Sequence, residues 1–235
     1  MLNPELYLNL KPSDFQNTLI KEVEILKMFE SLGASWVHSG DPKDPHAELT
    51  SGKCSNGFFD CGRVLKYFNL SEILAHQLAR KIKKYLHNKK VDVVIGSPMA
   101  GITFAHDVGR ALGARIYHFT EKDLTDSKKM IFKREKIGKG MLVLQIEELV
   151  TTSHTTIEVQ EAINSAHDYP ILWLPVIGML VHRPPHMVEA YGGRKVIALV
   201  EKEVWAVDPS ECPLCKQGST RYRPKTHWAE LTGKV

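Results

Sequence analysis

Two adjacent carboxylates, Glu147 and Glu148, stand between an apolar segment and a turn rich in hydroxyl groups, which consists of Thr151, Thr152, Ser153, His154 and Thr155. The apolar segment, residues 141–146, predicts an inner strand of a parallel sheet, because such strands are apolar on both faces. Both acids would then lie at the carboxyl end of that strand, where α/β sheets bind ligands. Backbone N–H groups at the start of the next helix favour a phosphate, whereas carboxylates bind hydroxyl groups or Mg²⁺. The segment therefore predicts a site for a phosphorylated sugar, although an ordinary strand, turn and helix would share the pattern.

A second segment, around Lys53, offers groups that suit a flat and charged ligand. Gly52 allows a tight turn, and Lys53 provides a positive charge for a phosphate or a carboxylate. Phe58 and Phe59 follow within a few residues and can pack against a planar ring. The order of these residues predicts a binding hairpin, and a surface hairpin without a ligand is the alternative.

A third segment, residues 91–106, runs from an apolar strand through a turn between Gly96 and Gly101 into a helix. Backbone amides at such a helix start suit a second phosphate or a pyrophosphate. A turn that only packs a strand against a helix is the alternative. The densely charged residues 120–134 are typical of a solvated loop, and their position also allows a lid over the site.

Alternating strands and helices must position these groups. Strands separated by helices of about ten residues indicate right-handed crossovers and a parallel sheet. Helical spacing after a possible cap at Ser13 also predicts an N-terminal amphipathic helix that ends near Gly33, and the tail from Pro209 onward is expected to be irregular. The other predicted elements are strands at residues 91–95, 114–119, 141–146, 171–181 and 195–200, helices at 71–86, 102–112 and 155–166, and an antiparallel flap at 47–50 and 58–60.

Length and charge narrow the class of protein. The 235 residues suffice for one α/β domain with a small extension. A formal net charge of +4, from 31 basic and 27 acidic residues, is small for a protein that binds nucleic acid. The sequence has no run of about 18 apolar residues, so we expect no membrane span. The N-terminus lacks the pattern of a secretory signal. We therefore expect a cytoplasmic enzyme with neither a nucleic-acid nor a membrane partner.

Four cysteines, Cys54, Cys61, Cys212 and Cys215, are too few and too scattered for a fold held by disulfides. The Cys212-Pro-Leu-Cys215 pair could be half of a zinc knuckle, completed by His227 or by Cys54 and Cys61. The alternative is a turn with reduced cysteines, and we assign no metal ligands from the sequence.

Together these segments resemble the type I phosphoribosyltransferase family, and within it orotate phosphoribosyltransferase most closely. The strand, paired acids and Thr-rich turn resemble the family's signature for phosphoribosyl pyrophosphate (PRPP). Residues 49–55 with Phe58 and Phe59 are similar to the LTSGKxS and Phe-Phe elements of orotate phosphoribosyltransferases. Ser153 and His154 stand where the family usually has glycine. The resemblance implies a type I phosphoribosyltransferase fold: a central parallel sheet flanked by helices, with a small hood or flap built partly from the N-terminal region.

The resemblance also implies an organisation and a function for the chain. Residues 1–70 would form the N-terminal helix and hood, 71–208 the PRPP-binding α/β core, and 209–235 an irregular tail. The implied reaction transfers 5-phosphoribose from PRPP to orotate and releases pyrophosphate, with Mg²⁺ as cofactor and a homodimer as the assembly. A phosphoribosyltransferase for another nucleobase, or a protein of this fold that binds PRPP or a nucleotide without turnover, remains the alternative.

The implied site residues fall into three groups. Lys122, Glu147 and Glu148 would be catalytic. PRPP would contact these three residues together with Lys53, Thr151, Thr152, Ser153, His154 and Thr155, and the base would contact Lys53, Phe58, Phe59, Thr151 and Arg183. An arginine suits this last position, because a planar guanidinium can bind a carboxylate with two hydrogen bonds.

Overall fold

The computed structural model describes residues 4–15, 18–126, 129–152 and 154–233. Within these ranges the strands are β1 (Ser35–Val37), β2 (His46–Glu48), β3 (Cys54–Ser55), β4 (Gly57–Phe59), β5 (Val93–Gly96), β6 (Ile116–Phe119), β7 (Glu121–Lys122), β8 (Met130–Ile131), β9 (Leu142–Val150), β10 (Leu172–His182), β11 (Ala190–Tyr191), β12 (Arg194–Glu201), β13 (Ala206–Val207) and β14 (Arg221–Tyr222). The helices are α1 (Glu5–Leu8), α2 (Glu22–Ser31), α3 (Gly62–Leu65), α4 (Phe68–Tyr85), α5 (Ala100–Leu112), α6 (His154–Ser165), α7 (Pro213–Lys216) and α8 (Trp228–Thr232), with a 3-10 turn at Pro12–Phe15.

A six-stranded sheet in the order β11-β12-β10-β9-β5-β6 forms the centre of the molecule. Its neighbouring strands run parallel, except that the edge strand β11 is antiparallel to β12. Strand β9 lies between β5 and β10, and the apolar residues that it presents are buried on both faces of the sheet. The predicted α/β architecture with a central parallel sheet is therefore confirmed.

Helices cover both faces of this sheet because each strand supplies apolar side chains to both. On one face, α4 and α5 pack on a core that contains Val94 and Leu144. On the other face, Val159 and Ile163 of α6 pack against Val93 and Val143. Since side chains alternate along a strand, the two cores take successive residues of β5 and of β9.

A hood of two small sheets lies beside the carboxyl edge of the central sheet. One sheet pairs β1 with β4, and the other has the order β13-β3-β2-β14. The strands predicted at residues 47–50 and 58–60 are present as β2 and β4, but the prediction that they form one antiparallel flap is wrong: β2 pairs antiparallel with β3, and β4 pairs antiparallel with β1 in the other sheet. We use the word hood for these two sheets and the turns that join their strands. One of its strands, β14, comes from the C-terminal tail and runs parallel to β2.

The prediction of a single N-terminal helix from Ser13 to Gly33 is wrong. The structure has a 3-10 turn at Pro12–Phe15 and begins α2 only at Glu22. Side chains of α4 account for the break, because Arg80 donates to the carbonyl of Thr18 at 3.0 Å and Gln77 Oε1 accepts from the N–H of Ile20 at 2.8 Å. Backbone groups bound in this way are not available for a continuous helix.

The prediction of an irregular tail is wrong where α7, β14 and α8 occur. Their apolar side chains explain the order, since Leu214 and Leu231 are buried and β14 has a partner strand in the hood. Among the described helices, none has the length and apolar character needed to cross a membrane.

Candidate active site

A cavity of about 570 Å³ opens where β9 and β10 end, between the central sheet and the hood. The hood and the residues that follow it contribute residues 48–51 and 58–62, and the tail contributes residues 223–226. The central sheet and its helices contribute Ala100, Glu148, Leu149 and Arg183. The carboxyl edge of a parallel sheet is the usual place for a ligand, and the volume suits a small molecule.

The two adjacent acids lie in different environments. Strand β9 continues to Val150, because Val181 and His182 of β10 pair with Leu149 and Val150. The prediction that the strand ends at residue 146 is therefore wrong, and alternation along β9 separates the neighbouring side chains. Glu148 lines the cavity, whereas Glu147 is 2% exposed and lies inside the sheet.

Glu147 belongs to a buried polar network. Its Oε1 accepts from Gln145 Nε2 at 2.6 Å, and its Oε2 accepts from the hydroxyl of Ser97. Burial raises the pKa of Glu147 to about 7, although these two hydrogen bonds oppose the shift. Burial also raises the pKa of Glu148. Of this adjacent pair, the structure therefore presents Glu148 to the cavity, which Glu48 and Asp60 also line, and keeps Glu147 as a link between β9 and the turn after β5.

The turn between β5 and α5 brings the backbone close to Glu148. A Cβ atom at Gly101 would lie 2.7 Å from Glu148 Oε2 and 3.0 Å from Ser97 Oγ. A Cβ atom at Gly96 would lie 2.7 Å from the carbonyl oxygen of Gly101. A Cβ atom at residue 96 would therefore overlap the backbone, whereas one at residue 101 would displace the carboxylate of Glu148. Helix α5 starts beside the cavity, as the sequence predicted.

Phe58, Phe59 and Arg183, which the sequence assigned to the base site, all line the cavity. Arg183 follows β10, and its N–H donates to the carbonyl of Val150 at 2.8 Å. Burial lowers the pKa of Arg183, and its Nε has no hydrogen-bond partner among the described residues. A half-buried guanidinium with an unused donor favours an anionic ligand, since such a donor is costly to leave unpaired.

The structure does not bring Lys53 and Lys122 to the described lining of the cavity. Lys53 is exposed, and its Nζ lies 3.9 Å from a carboxylate oxygen of Asp208. Lys122 is exposed in β7, which pairs with β8 in a short hairpin.

The hydroxyl-rich turn lies directly after β9 and leads into α6, which begins at His154. Thr151 is half-buried, and Thr152, His154 and Thr155 are exposed. Ser153 lies outside the described residues. This position agrees with the prediction of a helix start at the carboxyl edge of the sheet. The helix was expected to begin at residue 155 and begins at His154.

Sequence reasoning missed the contribution of the tail to the cavity. Arg223, Pro224, Lys225 and Thr226 form one wall. Arg223 Nε donates to Glu48 Oε1 at 2.8 Å, and Arg221 Nη1 lies 3.9 Å from Glu48 Oε2. The basic composition of the tail was a signal, but its pairing with a strand some 175 residues earlier could not be read from spacing.

Cys61 is a further lining residue that the sequence did not assign. Its thiol donates to the carbonyl oxygen of Glu148 at 3.3 Å, and burial raises its pKa well above the usual value. The neutral thiol therefore supports the backbone of β9 beside the cavity.

Known proteins resemble this chain over most of its length. An orotate phosphoribosyltransferase of Caldanaerobacter subterraneus subsp. tengcongensis is 31% identical over 205 residues, which cover 87% of this chain and 97% of that protein. One of Desulforamulus reducens is 34% identical over 202 residues, with 86% and 95% covered. No model of a protein family matches the chain.

A solved structure shares the fold. The UMP synthase of Leishmania donovani has a TM-score of 0.53 and 23% identity, and the match covers 77% of this chain and 36% of that protein. At this identity the likeness concerns the fold alone. The identity to the curated relatives, over nearly their full length, shows more: the chain belongs to the orotate phosphoribosyltransferase family.

Proposed function

We propose that this protein transfers 5-phosphoribose from PRPP to orotate and releases pyrophosphate. The observation that carries the proposal is Arg183, which lines the cavity together with Phe58 and Phe59 and whose buried Nε has no hydrogen-bond partner among the described residues. Family membership at 31–34% identity to orotate phosphoribosyltransferases supports the same reaction.

The base side of the cavity suits a flat ring that carries a carboxylate. Arg183 can bind a carboxylate with two parallel hydrogen bonds, and the rings of Phe58 and Phe59 provide apolar surface for the planar part of the base. Orotate has both features, whereas uracil and the purines lack the carboxylate. We therefore assign Arg183 to the selection and orientation of the base, and holding the reacting atoms in place contributes several kcal/mol to such reactions, roughly 7 or more in favourable cases.

The sugar side of the cavity is assigned to Glu148. Displacement at the anomeric carbon passes through a state with positive charge on the ribose ring, as in other glycosyl transfers. A carboxylate nearby accepts hydrogen bonds from ribose hydroxyls and stabilises that charge. Glu147, with both oxygens bound inside the sheet, is assigned a positioning role: it holds Ser97 and the turn that precedes α5.

The phosphate groups are assigned to two helix starts. The turn from Thr151 to Thr155 precedes and opens α6, so its N–H groups and hydroxyls suit the 5-phosphate. The turn before α5, beside Ala100, suits the pyrophosphate. Helices α5 and α6 follow the neighbouring parallel strands β5 and β9, so both begin at the carboxyl edge of the sheet, and we assign one PRPP molecule to both helix starts.

Mg²⁺ is proposed as the cofactor. The residues fit it, because Mg²⁺ commonly takes only one or two carboxylates together with substrate phosphates, and Glu148 presents its carboxylate to the cavity. When bound, the ion would neutralise charge on the departing pyrophosphate.

A homodimer with shared sites is proposed from two observations. Lys122 lies outside the described lining of the cavity of its own chain, although its exposed ammonium suits pyrophosphate. Leu124, in the same segment as Lys122, has a large apolar side chain that is 100% exposed, and a second subunit would cover it. A partner's Lys122 could then complete the site. A cytoplasmic location is also proposed, because none of the four cysteines forms a disulfide.

Pyrophosphate release tests the proposal. The protein is incubated with PRPP and Mg²⁺, and with orotate, uracil or adenine in turn. We expect turnover with orotate and at least about tenfold lower kcat/KM with the other bases, because one charge-assisted hydrogen bond is worth about 1.5–3 kcal/mol. Arg183→Ala should raise the KM for orotate by at least about tenfold and leave the KM for PRPP within about threefold. Arg115→Ala, an exposed arginine at the amino end of β6, is the matched control.

Three results would contradict the proposal. PRPP binding without turnover on any base would favour a protein that senses PRPP. Equal turnover of uracil and orotate would remove the assigned role of the carboxylate. An unchanged orotate KM in Arg183→Ala would place the base elsewhere.

A further inference from the structure

Four potential metal ligands from distant parts of the chain meet where the tail packs against the hood. They are His46 on β2, Cys54 on β3, and Cys212 and Cys215 at the start and within α7, and their ligand atoms all lie within 4.8 Å of one another. His46, Cys54 and Cys212 are buried, and Cys215 is half-buried. The sequence suggested that His227, or Cys54 together with Cys61, completes the pair of Cys212 and Cys215. The structure instead places Cys54 and His46 beside this pair.

The separations of these atoms match the edges of a zinc tetrahedron. With bonds of about 2.3 Å to sulfur and 2.0–2.1 Å to nitrogen, tetrahedral zinc separates two sulfurs by about 3.8 Å and a sulfur from a nitrogen by about 3.6 Å. Cys54 Sγ lies 3.6 Å from Cys215 Sγ. His46 Nε2 lies 3.6 Å from Cys212 Sγ and 3.4 Å from Cys215 Sγ.

Hydrogen bonds orient the ligands as a metal would require. The hydroxyl of Ser219 donates its one proton to the carbonyl of Asp44 at 2.6 Å. Ser219 Oγ must therefore accept from His46 Nδ1, at 2.8 Å, which leaves the lone pair of His46 Nε2 facing the sulfurs. A hydrogen bond that sets the tautomer in this way is the usual support of a ligating histidine.

The sulfurs have matching support. Cys212 Sγ accepts from the backbone N–H of Cys215 at 3.4 Å, and Cys212 forms the N-cap of α7 with Pro213 after it. Arg221 is in electrostatic contact with both Cys54 and Cys215, so a positive charge lies beside the sulfurs. Three thiolates and a neutral imidazole around Zn²⁺ carry a net charge of −1, which this arginine offsets.

We propose that His46, Cys54, Cys212 and Cys215 bind one structural zinc ion. Zinc is favoured because three thiolates and one imidazole in a tetrahedron are a common zinc donor set. Binding releases three thiol protons to solvent and changes no oxidation state. The other candidates have different partners: Cys61 donates to Glu148, and His227 stacks on Tyr222 and contacts Thr226 Oγ1.

The site would fasten the tail to the hood. Two ligands come from adjacent hood strands, and two come from the tail a few residues before β14 pairs with β2. The chain then continues directly into Arg223–Thr226, which form one wall of the cavity. Zinc would thus hold that wall in place without contact with the reacting molecules.

Metal analysis tests the proposal on the full chain, purified without chelator. We expect about one zinc ion per chain by mass spectrometry of the metal content. Cys212→Ser should lower this to below about a tenth, whereas Cys61→Ser, a buried cysteine outside the cluster, should retain it. Cobalt exchanged into the wild-type protein should give intense tetrahedral d–d absorption and a thiolate charge-transfer band. The cobalt spectrum decides the question even if Cys212→Ser does not fold.

The proposal is overturned if the wild-type protein holds no zinc and gives no thiolate–cobalt absorption, or if Cys212→Ser keeps the full zinc content. A disulfide between Cys54 and Cys215 in the purified protein would also overturn it. The further expectation that zinc loss raises the KM for orotate rests on the proposed function. Metal content is measured without substrate, so the two proposals fail independently.

Discussion

At the scale of single residues, the carboxyl group of Glu147 is closed off from the cavity and Glu148 is presented to it. Both oxygens of Glu147 accept hydrogen bonds within the sheet, and its burial raises its pKa to about 7. An ordinary glutamate in the unfolded chain titrates near 4.5. The folded protein therefore binds a proton at Glu147 between these two values, where the unfolded chain does not.

Glu147→Gln should change how stability depends on pH. Below about pH 4.5 Glu147 is protonated in both the folded and the unfolded state, so its full contribution to the free energy of unfolding is then present. As pH rises to 7, the wild-type protein loses this contribution, because it must ionise a buried group. Glutamine keeps the neutral shape. We expect the variant to gain stability relative to wild type between about pH 5 and pH 8, by at most about 3 kcal/mol, measured by urea unfolding at both pH values.

Glu158→Gln on α6 serves as the control, since Glu158 lies outside this network. A difference between Glu147→Gln and wild type that is the same at both pH values would contradict the raised pKa. Loss of activity in Glu147→Gln with the pH effect intact would agree with its role in positioning Ser97.

The residue types around the cavity were predictable, but the direction of their side chains was not. Phe58, Phe59 and Arg183 were predicted for the base site, and they line the cavity together. Glu147 and Glu148 were expected to face one ligand. Where they point depends on the length of β9, and that length is set by pairing with Val181 and His182 of β10, a long-range contact that local composition does not encode.

At the scale of elements, the start of α5 packs so closely against the end of β9 that a side chain at residue 101 would overlap Glu148. Gly101 lies in the first turn of α5, where a Cβ atom would be 2.7 Å from Glu148 Oε2. Gly109 lies two turns further along the same helix, where a Cβ atom would meet Val94 at an ordinary 3.5 Å. The position of the Glu148 carboxylate therefore depends on glycine at residue 101, whereas residue 109 of the same helix has space for a methyl group.

Gly101→Ala should lower kcat/KM by at least about tenfold, because the methyl group displaces the carboxylate of Glu148 from its position in the cavity. Stability should fall little, since a carboxylate at the end of a side chain can move and alanine favours a helix by up to about 1 kcal/mol. Steady-state kinetics and urea unfolding of the variant measure both effects.

Gly109→Ala is the matched control and should keep its activity with equal or slightly greater stability. Equal kinetics in the two variants would contradict the importance of the contact between Gly101 and Glu148.

The elements of the central sheet were predictable to within a few residues, because β5, β9, β10 and β12 bury apolar side chains on both faces. The N-terminal helix was not. Its apolar spacing was sound, but Arg80 and Gln77 of α4 bind the backbone near Thr18 and Ile20 and interrupt it. Tertiary hydrogen bonds of this kind override a local preference for helix.

At the scale of the whole molecule, one chain forms the cavity but does not bring Lys122, in the hairpin of β7 and β8, to the described lining of that cavity. Lys122 is exposed there, and the apolar side chain of Leu124 in the same segment is fully exposed at 100%. The proposed dimer explains both, since the segment of one subunit would reach the cavity of the other.

Mixed dimers test this arrangement. Lys122→Ala and Arg183→Ala chains carry different tags, are co-expressed, and the heterodimer is isolated on both tags in turn. If sites are shared, one of its two sites has both residues intact, and we expect about half of the wild-type activity per dimer. Assayed at an orotate concentration below the wild-type KM, each variant alone should have about a tenth or less of the wild-type activity.

A wild-type dimer that carries both tags is the control for purification. A heterodimer no more active than its parents would mean that Lys122 acts within its own chain or not at all.

The wall formed by Arg223–Thr226 also has a consequence during synthesis. Arg223 meets Glu48 across 175 positions of sequence, so a nascent chain can assemble the central sheet while that wall is still inside the ribosome. Contacts so distant in sequence form late. The cavity therefore gains this wall only after the tail has left the ribosome and β14 has paired with β2.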